Sequence, residues 1–385
     1  MKPHATINLP LHGGHAPQYL IRRMVKLSFA LTKVIVDEYG ESELLKRLAD
    51  PLWFQAFGCV LGFDWHSSGV TTVVTGVLRQ SLKEDVHGIV IVGGKGKRST
   101  KAKTEIPFLA DKHFNLSSAK IDKLLYISKM SAKVDNAAVQ DGYSLYHHTV
   151  IFDKNANWTV VQQGMNPINC MARRYHWTSD TIKNFISDPH SGIISNFKNT
   201  NTLNMASSES DENQKISVDL ATSNINNLKS SVHKIQCAKE CASRTTLDNW
   251  FSDSYESSSS SSFQYCEHYE MPRKLDWNVF RRVYDIQPRN YEELVSIPGI
   301  GPASLRALSL VAEIIFGARA SWQDPVKYNF AHGGKDGVPY HIARKTYDKS
   351  ISYLYSAVEG ADIEKVDKIQ SLKRLANYST KLFQQ

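Results

Sequence analysis

Apolar residues recur along residues 1–195 at two spacings, one typical of helices and one typical of strands. Ile21, Met24 and Leu31 follow the three- and four-residue spacing of an amphipathic helix. The segment 70–78 is rich in β-branched residues and fits either a helix or a strand. Further helices are predicted at 42–48 and 119–138, and strands at 59–63, 88–92, 145–152 and 158–163. This alternation predicts an α+β or α/β N-terminal domain with a mixed sheet.

The composition changes abruptly after this domain. Residues 196–262 are dominated by Asn, Ser, Thr and Glu and end in an unbroken run of serines. Such a segment buries too little apolar surface to offset the entropy lost on ordering, so it predicts a disordered spacer. From 271 to 385 the apolar spacing is helical throughout, which predicts an all-α C-terminal domain.

A glycine-rich turn at 297–306 lies between two of the predicted C-terminal helices. The two glycines allow a tight turn with uncovered amides, which favours binding of a phosphate at the start of the next helix. The pattern resembles the helix-hairpin-helix module, which holds a nucleic-acid backbone without reading its bases. The alternative is an ordinary helical hairpin. The residues expected to contact DNA here are Pro298, Gly299, Ile300, Gly301, Ser304 and Arg306.

The net charge of +8 and the isoelectric point near 9.0 suit a polyanionic partner. Residues 89–133 carry ten Lys or Arg against three Asp or Glu, and residues 271–385 carry 17 against 12. No apolar run is long enough to span a bilayer, and the five cysteines are scattered. We therefore expect a cytoplasmic protein that binds DNA through backbone phosphates and does not enter a membrane.

Further basic residues are expected to contact DNA. Arg173 and Arg174 stand among aromatic residues, so guanidinium groups would bind phosphates while rings stack on bases. The alternative is an element edge whose arginine stems lie along apolar surface. Lys335 lies in a glycine-rich loop, and Arg344 extends its basic surface. The loop 93–98 is either a flexible basic loop on the backbone or a solvated turn.

Carboxylates near predicted strand ends give a candidate metal site. Asp64 follows the strand predicted at 59–63, and Asp135 and Asp141 lie in a later passage from helix to strand. Carboxylates that converge from separate segments would hold Mg²⁺ or Mn²⁺ against a phosphodiester, with these three residues as ligands. The alternative for Asp64 is a helix cap.

Basic and titratable residues complete this candidate site. Lys95 or Lys133 would offset the charge that develops in the transition state. His66 or His147 would transfer a proton. The alternative for His66 is a buried hydrogen bond.

Several short motifs resemble those of one family. They are LPLHGGHAP at 9–17, GCVLGFDWHSSG at 58–69, SAKVDNAA at 131–138, VQQGMN at 161–166, ARRYHW at 172–177 and FAHGGKDG at 330–337. Together they are similar to an uncharacterised prokaryotic family of archaea and thermophilic bacteria, the domain of unknown function DUF763. The resemblance covers nearly the whole chain except the polar spacer, and it implies no activity.

The residues thus predict a DNA-binding protein of repair or processing. The leading hypothesis is a metal-dependent nuclease that holds the DNA backbone through its C-terminal hairpin. The alternatives are a non-catalytic DNA-binding or adaptor protein, and a DNA glycosylase that acts through Asp324, which follows the hairpin in sequence.

Overall fold

The computed structural model describes residues 16–63, 68–195, 198–248, 269–326, 328–329 and 344–383. Its strands are β1 (Ile89–Lys95), β2 (Val139–Gln140), β3 (Ser144–Asp153), β4 (Trp158–Asn166), β5 (Met171–Thr178), β6 (Gly192–Ser195), β7 (Leu203–Asn204) and β8 (Tyr328–Asn329). Five strands form an antiparallel sheet in the order β1-β3-β4-β5-β6, and β8 pairs parallel with β6 at its edge. The short strands β2 and β7 pair separately.

Helices lie before, between and after these strands along the chain. The first seven are α1 (Gln18–Tyr39), α2 (Glu41–Leu48), α3 (Pro51–Leu61), α4 (Gly69–Ser81), α5 (Glu84–His87), α6 (Ala102–Phe114) and α7 (Ser118–Lys133). The others are α8 (Asp211–Thr222), α9 (Ile225–Asp248), α10 (Trp277–Ile286), α11 (Tyr291–Ser296), α12 (Pro302–Phe316), α13 (Arg344–Gly360) and α14 (Lys365–Phe383). None of the helices in the described ranges is long and apolar enough to cross a bilayer.

The sheet is buried on both faces because successive side chains on each strand enter different hydrophobic clusters. On β1, Val90 and Val92 belong to one cluster, whereas Ile89 and Ile91 belong to the other. The first cluster contains side chains of α6, α7 and α8 to α12, and we call its side of the sheet face A. The second contains side chains of α1 to α4, α13 and α14, and its side is face B. The result is a mixed α/β fold in which helices cover both faces of the sheet.

Most of the predicted elements are confirmed, including α1, α7, β1 and the hairpin of β3 and β4. The strand predicted at 59–63 is wrong, because these residues end helix α3 or follow it. Asp50 caps that helix by accepting hydrogen bonds from the amides of Leu52 and Trp53. Nearly every residue of α3 is buried, and an apolar run of this kind does not distinguish a strand from a buried helix. The ambiguous segment 70–78 lies in α4.

The disorder predicted for 196–262 is wrong for residues 198–248, which contain β7, α8 and α9. Polar side chains of α8 are buried and make hydrogen bonds to neighbouring segments. Asn213 Nδ2 donates to the carbonyls of Ser309 and Ala318, at 3.0 and 2.7 Å. Gln214 Nε2 donates to two more carbonyls. Composition misled here because these polar groups satisfy backbone acceptors inside the fold. Residues 249–268 lie outside the described ranges.

The separate all-α C-terminal domain is not what the structure describes. Helices α10 to α12 share the face A cluster with the strands, while α13 and α14 pack on face B against α1 and α3. The C-terminal helices therefore complete both helical layers around the N-terminal sheet.

Candidate functional site

Helices α11 and α12 are joined by a tight turn whose tip is exposed. Ile297 and Ile300 are buried in the turn, whereas Pro298 and Gly299 are exposed. Gly299 has a φ of 94°, and a Cβ at this position would approach Val279 and Arg282 side-chain atoms to 2.8 Å. The turn therefore requires glycine both for its conformation and for its close packing.

Among the described residues, no side chain caps the start of α12. Gly301 precedes the helix in an extended conformation, and Pro302 occupies its first position. The first-turn amides of an α-helix have no acceptor within the helix and carry partial positive charge. Pro302 and Ala303 are exposed, so an anion can approach this end of α12 from solvent.

Lys133 connects the last turn of α7 to the hairpin. Its Nζ donates to the carbonyls of Ile300 and Ile297, at 2.5 and 3.2 Å. Gln140 adds a bond from Nε2 to the carbonyl of Pro302, at 2.9 Å. Burial lowers the pKa of Lys133, and the neighbouring charge of Lys129 lowers it further. Through these two bonds, Lys133 holds the hairpin against α7.

A groove of about 400 Å³ lies between this hairpin, α7 and the start of β3. The hairpin contributes Ile300, Gly301 and Pro302, and β3 contributes His147 and His148. The other polar lining residues are Ser99, Thr100, Lys103, Ser128, Lys129, Lys133, Asn136 and Tyr146. Among the described residues that line the groove, three are lysines and none is Asp or Glu, so the groove attracts anions.

Lys95 and its basic neighbours lie beside the groove. Lys95 ends β1 and is exposed, and its Cα pairs in register with that of His147. Lys97, Arg98 and Lys101 follow in an exposed 3₁₀ turn. Arg98 lies 3.6 Å from Glu105, at the distance of a weak ion pair.

His147 is buried on face B, against α4. Its Nε2 lies 2.8 Å from Thr149 Oγ1 and 3.2 Å from Thr75 Oγ1. Among the described residues, its Nδ1 has no hydrogen-bond partner. Burial lowers the pKa of His147 to about 3, and the neighbouring positive groups act in the same direction. The side chain is therefore neutral at physiological pH.

Asp135 and Asp141 are buried and already have hydrogen-bond donors on both carboxylate oxygens. Asp135 accepts from Trp177 and Gln162 on Oδ2 and faces His190 Nε2 at 2.5 Å from Oδ1. Asp141 accepts from Arg173, the Tyr175 hydroxyl and the Tyr143 amide. These two carboxylates do not fit the predicted Mg²⁺ or Mn²⁺ ligand set, because ligation would displace existing donors. Within the described ranges, no three His, Cys, Asp or Glu residues form a group that could hold a metal ion.

The predicted DNA contacts of Arg173 and Arg174 are wrong, because both side chains are fully buried on β5. Arg173 forms ion pairs with Asp141 and Asp324, each at 2.8 Å. Arg174 points to the other face and donates to Gln55 and His176. The sequence suggested exposed arginines beside aromatic rings that stack on bases. Instead, the Arg173 guanidinium neutralises two buried carboxylates, and both arginines join separate segments of the interior.

The predicted hairpin contacts divide into exposed and buried groups. Pro298, Gly299 and Gly301 remain accessible, whereas the side chains of Ile300 and Ser304 are buried. Ile300 and Ser304 would therefore reach a ligand through backbone atoms, which is the mode of contact expected of this turn.

Arg306 is half-buried rather than free to contact DNA. Its guanidinium donates to Gln140 Oε1 and to the Glu270 carbonyl, and it lies over the Trp322 ring. Arg306 therefore packs the hairpin against its surroundings.

Four predicted residues have no described side chain. Asp64, His66 and Lys335 lie outside the described residues, and Arg344 begins α13 without a described side chain. Asp324, the residue of the glycosylase alternative, is buried. It accepts from Arg173, the Asn199 amide and the Val326 amide. It orders the segment that follows α12, and its carboxylate is already paired with Arg173.

Sequence reasoning missed Ser128, Gln162 and Arg282. Ser128 lines the groove from α7, and Gln162 lies behind His148 on face A. Arg282 is exposed beside Gly299. One signal was available for Gln162, because a glutamine interrupts an apolar strand where its side chain must be buried.

Comparison of the chain with known proteins gives one family match. The family model described as "Protein of unknown function (DUF763)" matches residues 5–342. Neither the curated proteins nor the solved structures contain a match. Because the match covers most of the chain, the protein belongs to the DUF763 family.

Proposed function

We propose that this protein binds DNA through its backbone phosphates at the hairpin and the adjacent groove. The observation that carries the proposal is the uncapped start of α12, which lies at the edge of a groove lined by three lysines and no carboxylate among the described residues. The exposed Pro298-Gly299 tip resembles a helix-hairpin-helix turn, and Arg282 lies beside it. Amides, lysines and arginine together match a row of phosphates.

Fluorescence anisotropy with labelled duplex DNA tests this proposal across a range of salt concentrations. Affinity should fall steeply with salt and vary little with sequence. Lys129→Ala and Arg282→Ala should each weaken binding and reduce the slope of log affinity against log salt by about 1. Lys123→Ala is the matched control, because Lys123 is also exposed on α7 but does not line the groove.

Two results would contradict the proposal. One is binding that Lys129→Ala and Arg282→Ala leave unchanged in folded protein. The other is a strong sequence preference at constant salt. Tight binding without cleavage under any divalent cation would identify a non-catalytic DNA-binding or adaptor protein.

A Mg²⁺- or Mn²⁺-dependent nuclease is the second candidate. Its supporting observation is the same lysine-lined groove, which would hold a phosphodiester. Its candidate ligand Asp64 lies outside the described residues. This candidate predicts cleavage that EDTA abolishes and that Asp64→Asn removes. Cleavage that persists in Asp64→Asn would exclude it.

A further inference from the structure

A chain of four polar side chains runs from the groove to the interior of face A. Ser128 Oγ lies 2.8 Å from His148 Nε2, and His148 Nδ1 lies 2.8 Å from Gln162 Oε1. Gln162 Nε2 then donates to Asp135 Oδ2 at 2.6 Å. Ser128 and His148 line the groove and are 6% and 7% exposed, whereas Gln162 and Asp135 are fully buried. The chain therefore runs from the wall of the groove into the interior.

Trp177 fixes the direction of the hydrogen bonds in this chain. Its indole N–H can only donate, and it donates to Asp135 Oδ2 at 2.9 Å. That oxygen is an acceptor, so Gln162 turns its amide NH₂ towards Asp135 and its carbonyl towards His148. His148 must then carry its proton on Nδ1, which leaves a lone pair on Nε2. The hydroxyl of Ser128 is consequently the donor to His148.

We propose that Ser128 is the nucleophile of a phosphoryl-transfer site that acts on a phosphate diester held in the groove. His148 removes the serine proton as general base. Gln162 and Asp135 are positioning residues, because they hold the tautomer and orientation of His148 without contacting the substrate. The nucleic-acid identity of the diester rests on the proposed function, whereas the reactivity of Ser128 does not.

The charge of the groove selects a phosphate ester over a neutral ester. Lys129 follows Ser128 directly and is exposed, and Lys103 of α6 also lines the groove. Gly301 and Pro302 bring the positive end of α12 to the same groove. These groups would stabilise the negative charge that grows on the phosphoryl oxygens in the transition state.

The reaction balances with water as its only co-reactant. In the first step a bond forms between Ser128 Oγ and phosphorus, and the bond from phosphorus to the leaving oxygen breaks. The serine proton passes to His148 Nε2 and then to the leaving oxygen, which departs as an alcohol. In the second step water gives a proton to His148 and attacks phosphorus, and Ser128 leaves and recovers the proton. The products are an alcohol and a phosphate monoester.

Labelling of the full chain with a fluorophosphonate probe tests the nucleophile. Ser128 should be modified, as located by peptide mass spectrometry, and Ser128→Ala should abolish that labelling. His148→Gln should slow labelling by about 100-fold or more. Ser131→Ala is the matched control, because Ser131 lies one turn further along α7 and donates to the Ile127 carbonyl instead. Labelling should persist in this variant.

Hydrolysis of bis(p-nitrophenyl) phosphate tests the positioning role of Gln162. Burial lowers the pKa of His148, against the opposing effects of the Gln162 hydrogen bond and the Asp135 charge. Neutral His148, the base form, therefore persists below pH 6.5. The fall of kcat/KM on the acid side of the pH profile should accordingly lie below that value. Gln162→Leu removes a group that raises the pKa of His148, so it should move the acid-side fall of kcat/KM to lower pH. If the role of Gln162 were only structural, the substitution would change kcat/KM without shifting the pH at which it falls.

Either of two results would overturn the inference. One is that Ser128 stays unlabelled in folded wild-type protein, and the other is that His148→Gln is labelled as fast as the wild type. The DNA-binding measurement is independent of this result. A reactive Ser128 in protein that fails to bind DNA would support the nucleophile and refute the proposed function. An inert Ser128 in protein that binds DNA would overturn the nucleophile alone.

Discussion

Two buried polar clusters lie on face A of the sheet, and they differ in the group at which each hydrogen-bond network ends. The Arg173 cluster contains Asp141, Asp324 and Tyr175, and its two carboxylates face one guanidinium. The cluster that begins at Asp135 instead passes through Gln162 and His148 and stops at a serine hydroxyl in the groove. Both arise from polar residues on buried strands.

The difference is that the second cluster ends at a serine hydroxyl on the wall of the lysine-lined groove, whereas the Arg173 cluster ends in carboxylates that are already paired with the guanidinium. In the Arg173 cluster, the guanidinium donates to Asp141 and Asp324, and these bonds join β5 to the segment after α12. In the second cluster, the interior groups orient His148, and His148 faces a hydroxyl that lines an open groove. A buried polar network therefore indicates chemistry when it continues to a nucleophilic group that lines a groove.

Removal of the arginine from the closed cluster should have the largest effect on stability. Arg173→Met leaves Asp141 and Asp324 buried without their shared cation, so it should lower the free energy of unfolding by about 3–5 kcal/mol. Urea denaturation measures this loss. The triple variant with Asp141→Asn and Asp324→Asn should recover part of it. A loss below about 1 kcal/mol would show that the cluster is not desolvated as the structure describes.

Acid should destabilise the protein through His147. The pKa of His147 is about 3 in the folded protein against 6.5 for an ordinary histidine, so the unfolded chain binds more protons between these values. The stability contributed by neutral His147 is present above pH 6.5 and is lost as the pH falls towards 3. The loss approaches about 1.4 kcal/mol per pH unit.

Chemical denaturation at pH 7 and pH 4.5 measures this dependence. His147→Gln should reduce the difference between the two pH values, because glutamine does not titrate. His113→Gln is the control, because His113 lies near the surface beside Glu84. An unchanged pH dependence in His147→Gln would show that His147 is not the group responsible.

The link between α7 and the hairpin should have the smallest effect on stability. Lys133→Met removes two hydrogen bonds to hairpin carbonyls, so it should cost about 1–2 kcal/mol. It should also weaken DNA binding, because the hairpin loses its support as well as a charge. Lys123→Met, measured by the same denaturation and anisotropy experiments, should change little. Equal effects of the two variants would contradict a specific link through Lys133.

Much of the fold was predictable because periodicity reports local structure directly. The helix α1 and the hairpin of β3 and β4 follow from spacing and turn residues. Helix α3 was missed because burial on all sides removes the amphipathic signal. Helix α8 was missed because its buried Asn213 and Gln214 resemble the residues of a solvated segment. Whether such a polar segment is folded depends on its tertiary hydrogen bonds, and amino-acid composition gives no information about them.

The candidate site was predictable only in part. The hairpin follows from its glycines, and the basic surface follows from the charge of 89–133. The roles of Asp135 and Arg173 depend on partners distant in sequence, such as Trp177 and Asp324. Because of these partners, Asp135 forms interior hydrogen bonds instead of binding a metal, and Arg173 forms an interior ion pair instead of contacting phosphate. Long-range pairing of this kind is not visible in local sequence.

Photocrosslinking of a 4-thiothymidine-containing duplex to the full chain tests the central claim most directly. Mass spectrometry would locate the crosslinked peptides. We predict crosslinks in the hairpin at 298–306 and in the groove segments at 96–103 and 128–133, all reduced by high salt. Crosslinks confined to face B helices such as α1 and α14, or insensitive to salt, would contradict the account.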